Sequence, residues 1–326
     1  MLYKICMRAL DAQQAFFAAR RPRKDSPHTT DAYRRDLAGI TALLAENPEE
    51  LTVEDLTAQA LRAAFGAFAD GHAKSSVLRA WSTWNQFLTF CVSDGLLPGN
   101  PMGAVARPKA PPLSPKPLRG EDTPERLLTA AAGGARQARD PWPERDVLVI
   151  ALGLVAGLRS AEMRTLTSRS LAGRPGEMRL HVHGKGSRDR SIPVQPIMEK
   201  IIAAYLESCR RRFPHERFGR SAPLLRDRAG EPIGRGGLEY LVKSCYRWAG
   251  LHDQVPVGAN LHALRHTFAT RLAEDGATAS EIMTLLGHAS LATSQNYIEA
   301  TGREQRAAAA SNRTYRALDS VLDSSP

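Results

Sequence analysis

Residues 261–300, LHALRHTFATRLAEDGATASEIMTLLGHASLATSQNYIEA, decide how this chain is read. Leu261, Leu264, Phe268 and Leu272 recur at three- and four-residue steps, the period of a helix seated on a core. His262 and Arg265 stand three residues apart and so share one face of that helix. A second helix is expected to begin near Thr278 or Ser280 and to stop at Gly287, directly before His288. A third carries Tyr297. Short consecutive helices of this kind bring two imidazoles, a guanidinium and a phenol toward a common point that suits an anion. A metal fits less well. His262 and His266 have ligand spacing, but the zinc-hydrolase string places glutamate directly after the first histidine, and here Ala263 stands there.

Upstream of this stretch the chain reads as mostly helical. In residues 1–101, apolar residues recur at helical spacing, as in Tyr33, Leu37, Ile40 and Leu43, and again in Val77, Trp81, Trp84, Phe87 and Leu88. The aromatic residues of that second set are read as core. Lys74 and Arg79 lie on the other side of the same helix and are candidates for touching a phosphate. Residues 102–120 are rich in proline, carry Arg107, Lys109, Lys116 and Arg119, and show no apolar period, which reads as a semi-rigid basic linker. A second domain is expected over residues 121–326. It opens with a helix behind Asp122 or Thr123 and continues into the apolar run VLVIALGLVAGL, too short to span a bilayer and read as a buried helix. Arg159 follows in a turn, with Glu162 placed to hold an arginine.

The period then changes. EMRLHVHGKGSRDRSIPV, residues 177–194, alternates around Leu180, Val182 and Ile192, with a glycine-flanked turn whose tip is Lys185. The expected fold is therefore mainly α with a small antiparallel β-sheet. Arg188 and Arg190 follow the turn, and Arg235, Lys243 and Arg247 lie on or beside a helix expected over residues 236–248; all five are candidate nucleic-acid contacts. The arginine run 210–212, continued by Arg217, Arg220, Arg226 and Arg228, reads as a phosphate-facing surface.

Composition sets the partner class. The 326 residues carry a formal net charge of +10, and arginine, the better fork for phosphate oxygens, supplies most of it. That excess favours a polyanion. Cys6, Cys91, Cys209 and Cys245 are far apart and imply neither a disulfide framework nor a zinc knuckle. Lys4 and Arg8 interrupt the N-terminal apolar residues, a poor signal peptide, so a cytoplasmic, nucleoid-associated protein is expected.

Taken together, Arg159, Lys185, His262, Arg265, His288 and Tyr297 form a phosphodiester-transfer set. Two arginines clamp the non-bridging oxygens and stabilise the charge that builds in a pentacoordinate transition state. Tyr297 serves as nucleophile, helped by nearby cations or a base because an ordinary phenol titrates near about 10. Lys185 is suited to protonate the leaving oxygen, His262 to exchange a proton with the tyrosine, and His288 to hydrogen-bond the phosphate. No acidic cluster calls for magnesium, so no cofactor is expected, and a covalent phosphotyrosine intermediate follows from the set.

These strings resemble the tyrosine recombinase, or phage integrase, family, including its Xer-like members. AGLRSAEM carries Arg159, HGKGSRDRSIPV carries Lys185, HALRHTFATRL carries His262 and Arg265, and LLGHASLATSQNYI carries His288 and Tyr297. The N-terminal strings SPHTTDAYRRDL and GNPMGAVARPKAPPLSPKPL are similar to the family's core-binding domain. The resemblance implies a helical core-binding domain and a catalytic domain that clamp double-stranded DNA. Four protomers, all of one kind or including a related recombinase, would join two duplexes with paired recognition sites. Tyr297 would form a 3′-phosphotyrosine and release a 5′-hydroxyl, and strand exchange would pass through a Holliday junction without metal or ATP. The tail beyond Tyr297 would dock on a neighbouring protomer. A type IB topoisomerase would use nearly the same phosphate chemistry, but the core-binding domain and linker favour recombination. A catalytically idle DNA-binding regulator is disfavoured by the complete six-residue set.

Overall fold

The computed structural model describes residues 7–109, 115–134, 138, 140–184, 189–216 and 218–302. The chain divides into two units, residues 1–112 and 113–326. Among the described residues, no helix is long and apolar enough to cross a membrane.

Among the described residues, the N-terminal unit contains four α-helices: α1 (Ala9–Arg20), α2 (Pro27–Leu44), α3 (Ala58–Asp70) and α4 (Lys74–Ser93). Ser26 starts α2, its side chain accepting from the Thr29 N–H while Pro27 sits in the first turn. Thr57 caps α3 in the same way through the Ala60 N–H. The repeat that marked α4 as amphipathic does bury Val77, Trp84, Phe87 and Leu88, which pack with Leu37 and Ile40 of α2 and Leu61 and Phe65 of α3. Under this layer lies a carboxylate. Asp36 accepts from Arg79 Nε at 3.0 Å and Nη2 at 2.8 Å, and from Thr83 Oγ1 at 3.0 Å.

The C-terminal unit is organised around α6 (Pro143–Leu154), which follows α5 (Thr123–Ala132). Leu148, Val149, Ile150 and Leu152 of α6 are all fully buried, which accounts for an apolar run without helical alternation. Against α6 pack α5, α8 (Pro196–Arg212), α9 (Arg235–Trp248) and α10 (Asn260–Glu274). The approach of α10 is close, for a Cβ on Gly153 would stand 2.7 Å from the Cβ of Leu264. Between α7 (Ser160–Thr165) and α8 runs a three-stranded antiparallel sheet, β1 (Leu171–Ala172), β2 (Arg179–Val182) and β3 (Arg190–Pro193), in the order β1-β2-β3. Leu180 pairs with Ile192 and Val182 with Arg190, and the alternating residues Leu180, Val182 and Ile192 face the core. The short β1 had no alternating signature in the sequence, because two residues are too few to show one.

Among the described residues, two further helices, α11 (Ala279–Leu286) and α12 (Leu291–Thr301), follow α10. Thr278 and Glu281 cap α11 reciprocally, and Gly287 ends it in the left-handed region at φ 61°. Ala269 and Ala273 of α10, Ile282 and Leu286 of α11, and Tyr297 and Ile298 of α12 form a small core of their own.

The segment read as a linker over residues 102–120 is anchored at both ends instead of running free throughout. Met102 and Val105 are buried in the first core, and the Val105 carbonyl accepts from Trp81 Nε1 at 3.0 Å. Leu118 is buried in the second core, with its N–H donating to Thr267 Oγ1 at 2.8 Å. Single apolar residues among prolines leave no period to read, which is why this docking was not visible in the sequence.

Candidate active site

Glu162 is the centre of the site. It lies in the first turn of α7, 4% exposed, and binds three arginines from three separate parts of the chain. Arg159 donates to it from the backbone N–H at 2.8 Å and from Nη1 at 2.9 Å. Arg190 on β3 meets it side-on, Nη1 and Nη2 each at 2.9 Å from one carboxylate oxygen. Arg265 on α10 approaches to 3.9 Å. Burial alone raises the Glu162 pKa. The hydrogen bonds from Arg190 and the Arg159 N–H, with the charges of both cations, overcome that and bring it down to about 2.

Backbone carbonyls take up further guanidinium donors. Arg265 donates to the Gly157 carbonyl and, at 2.7 Å, to that of Leu286. Arg190 Nε donates to the Leu285 carbonyl at 2.8 Å. The last carbonyls of α11 are thus spent on the arginines, the helix end at which cations are favoured. Gly157 has φ 59°, and a Cβ there would lie 2.5 Å from the Phe268 ring and 2.6 Å from Leu286 Cδ2, so this turn requires glycine.

The histidines and the tyrosine border this cluster. His288 directly follows the glycine cap of α11; it is 8% exposed and its Nδ1 lies 2.9 Å from Ser294 Oγ. Burial, then Arg265 and Arg159, lowers its pKa to about 4. Its ring stacks on that of Tyr297, centroids 5.9 Å apart and planes 12° from parallel. Tyr297 is 4% exposed, and its hydroxyl lies 2.7 Å from His266 Nδ1. Burial pushes the phenol pKa up, against the opposing pull of Arg265 and Arg159. His262 is exposed, and its side chain has no hydrogen bond with a described residue. Desolvation, followed by Arg265 and Arg159, lowers its pKa.

The expected set therefore comes together in part. Arg159, Arg265, His288 and Tyr297 converge around Glu162, with His262 at the margin; Lys185 lies outside the described residues, as does Arg188. The hydroxyl of Tyr297 meets His266, whereas the sequence reading paired it with His262. Both histidines sit on one helix face four residues apart, and only the packing of α12 on α10 decides between them. Arg190, expected at the DNA, is 6% exposed at its side chain and fully engaged with Glu162 and Leu285, which makes it a support for the site. Arg79, likewise expected at the DNA, is spent on buried Asp36 while keeping 48% of its side chain exposed. Lys74, Arg235, Lys243 and Arg247 are exposed, and Arg235 pairs with Glu239 at 2.8 Å.

The arginine run that ends α8 and continues beyond it is more neutralised than its sequence suggested. Arg210 pairs with Glu207, Arg211 with Glu144, Arg212 with Asp140 and Arg226 with Glu216. Glu144 and Asp140 are remote in sequence, so these partners appear only once the chain is folded.

Comparison with known proteins assigns the class. Residues 120–304 match the phage integrase family, and residues 15–95 match the phage integrase N-terminal SAM-like domain. The chain is 33% identical over 309 residues to tyrosine recombinase XerC of Mycobacterium sp. (strain JLS), covering 91% of this chain and 96% of that one. It is 34% identical over 280 residues to tyrosine recombinase XerC of Rhodospirillum centenum, covering 84% and 78%. Its fold is similar to a lambda integrase(75-356) dimer bound to a COC′ core site, with TM-score 0.69, 18% identity, and 91% and 97% of the two chains covered. The chain belongs to the phage integrase family, the tyrosine recombinases, and its reaction is site-specific breakage and rejoining of DNA strands.

Proposed function

We propose that Tyr297 is the nucleophile of this recombinase and that Arg159 and Arg265 bind the scissile phosphate. The observation that carries the reading is the charge balance around Glu162. Three guanidiniums share one carboxylate, which leaves a formal surplus of two positive charges, and two of the three, Arg265 and Arg159, act electrostatically on the Tyr297 phenol. A phosphodiester brings the missing negative charge, and the transition state brings more, so the fixed cations stabilise it preferentially. Arg159 is the guanidinium with room to act, its side chain 36% exposed. His288 is positioned to hydrogen-bond a phosphate oxygen and His262 lines the approach. Lys185 protonates the leaving 5′ oxygen.

In the reaction the Tyr297 oxygen attacks phosphorus and the bond to the 5′ oxygen breaks, leaving a 3′-phosphotyrosine and a free 5′-hydroxyl. The partner strand's hydroxyl reverses the step, and a second exchange resolves the Holliday junction. Bond energy is kept in the phosphotyrosine, so ATP is not needed, and the cations of the chain supply the electrostatics, so the reading requires no metal. The assembly is a tetramer on two duplexes, acting at the nucleoid in the cytoplasm.

A nicked suicide duplex tests the nucleophile. The duplex carries the genomic site the protein occupies, and loss of the short strand beyond the nick traps the covalent adduct on a denaturing gel. The wild-type chain is expected to give an adduct and Tyr297→Phe none, with DNA binding retained. An adduct persisting in Tyr297→Phe would assign the nucleophile elsewhere.

A further inference from the structure

His266 is the polar group closest to the reacting oxygen, and the chemistry assigned above does not use it. Its Nδ1 is 2.7 Å from the Tyr297 hydroxyl. The two rings are tilted by 34°, with centroids 5.7 Å apart. The contact joins α10 to α12 and connects the phosphate-binding helix to the nucleophile, because His266 is the neighbour of Arg265. The side chain of His262, the other imidazole of α10, has no hydrogen bond with a described residue.

We propose that His266 is the general base for Tyr297, taking the phenolic proton on Nδ1 as the oxygen attacks. The proposal rests on the reading of Tyr297 as nucleophile. The O–H bond of Tyr297 breaks and its proton passes to Nδ1, giving an imidazolium. The oxygen's electron pair forms the new bond to phosphorus. The bond from phosphorus to the 5′ oxygen breaks, and that oxygen receives a proton from the ammonium of Lys185. Rejoining reverses each transfer, with the His266 imidazolium returning its proton to the departing phenol.

The surroundings explain why the proton stays on the phenol until DNA arrives. Burial holds the His266 pKa down to about 4, with His262, Arg265 and Lys116 acting in the same direction. Burial also pushes the Tyr297 phenol up. Without substrate the pair is a neutral hydrogen bond. A phosphodiester between Arg159 and Arg265 offsets the cationic field on His266 and raises its proton affinity. The phenol in turn becomes far more acidic as its oxygen bonds to phosphorus. Both changes favour transfer only when the scissile phosphate is seated.

Two variants separate proton acceptance from hydrogen bonding. His266→Asn keeps an acceptor near the Nδ1 position but cannot take a proton at neutral pH; His266→Ala removes both functions. Adduct formation is measured in a single turnover on the nicked suicide duplex at saturating protein, with thermal unfolding and DNA affinity recorded for each variant. Both variants are expected to be slower by about 10²-fold or more. Added imidazole is expected to accelerate His266→Ala but neither His266→Asn nor the wild type. A wild-type rate in His266→Asn would reduce the residue to a hydrogen-bond acceptor and overturn the proposal. Faster adduct formation in either variant would make it a restraint on the tyrosine, and slow variants that imidazole leaves unchanged would make it structural; each also overturns the proposal. Tyr297→Phe run in parallel keeps the two readings apart. An adduct there sinks the nucleophile, whereas its absence together with a wild-type rate in His266→Asn sinks the base alone.

Discussion

Asp36 in the N-terminal unit and Glu162 in the C-terminal unit are both buried carboxylates, 2% and 4% exposed, and both are held by arginine. Asp36 has one guanidinium, from Arg79, and a threonine hydroxyl. Its charge is matched one to one, and the pair ties α2 to α4. Glu162 has three guanidiniums. One carboxylate suffices to hold them in register against their mutual repulsion but not to neutralise them. The same local device therefore gives a one-to-one bond in one unit and a cluster with more guanidiniums than carboxylates in the other. An arginine–carboxylate contact alone does not tell these apart; the number of cations per acid does.

The largest effect expected from this contrast is on cleavage. Arg265→Ala should slow single-turnover adduct formation by roughly 10²–10³-fold, the loss typical of a fixed donor to transition-state charge. Arg265→Lys should recover only part of it, because an ammonium keeps the charge but not the fork that reaches both Gly157 and Leu286. Near-complete recovery in the lysine variant would mean that charge alone matters at this position.

Arg79→Ala should behave in the opposite way. It leaves Asp36 buried with only Thr83 as side-chain donor, and should lower stability by about 1–3 kcal/mol in chemical unfolding. Half-exposure of Arg79 keeps the loss below that of a fully buried pair. Adduct formation at saturating protein should be retained. Weakened DNA binding at unchanged stability would restore Arg79 to the DNA-contacting role first expected of it.

The smallest effect is on pH dependence. Burial and the neighbouring arginines hold the folded-state pKa of His288 at about 4, below the ordinary histidine value of 6.5. Its contribution to stability is therefore present above 6.5 and lost as pH falls toward 4. Glu162 is lowered from 4.5 to about 2, so its contribution is present above 4.5 and lost as pH falls through about 2. Hydrogen exchange of the α10 and α12 amides should show falling protection across the first window, and His288→Asn should flatten part of that slope. A slope unchanged in the variant would place the titration elsewhere.

Much of the site was legible before folding because its signals are local. A helix start shows in Thr278 and Glu281, a helix stop in Gly287, and the hairpin in the alternation of Leu180, Val182 and Ile192. The strings around Arg159, Arg265, His288 and Tyr297 each follow such a local signal. What was not legible depends on partners distant in sequence. Arg190 looked like a DNA contact because Glu162 is 28 residues away. Arg212 looked free because Asp140 is 72 residues away.

Sequence alone determined the mainly helical class and the small antiparallel sheet, since helix period, strand alternation and caps act within a few residues. Only tertiary structure decided which arginines are spent and which histidine meets the Tyr297 hydroxyl. His262 and His266 are one turn apart on the same face of α10, and local geometry treats them alike. The packing of α12 across α10 brings the Tyr297 hydroxyl to His266, and that contact exists only in the folded chain.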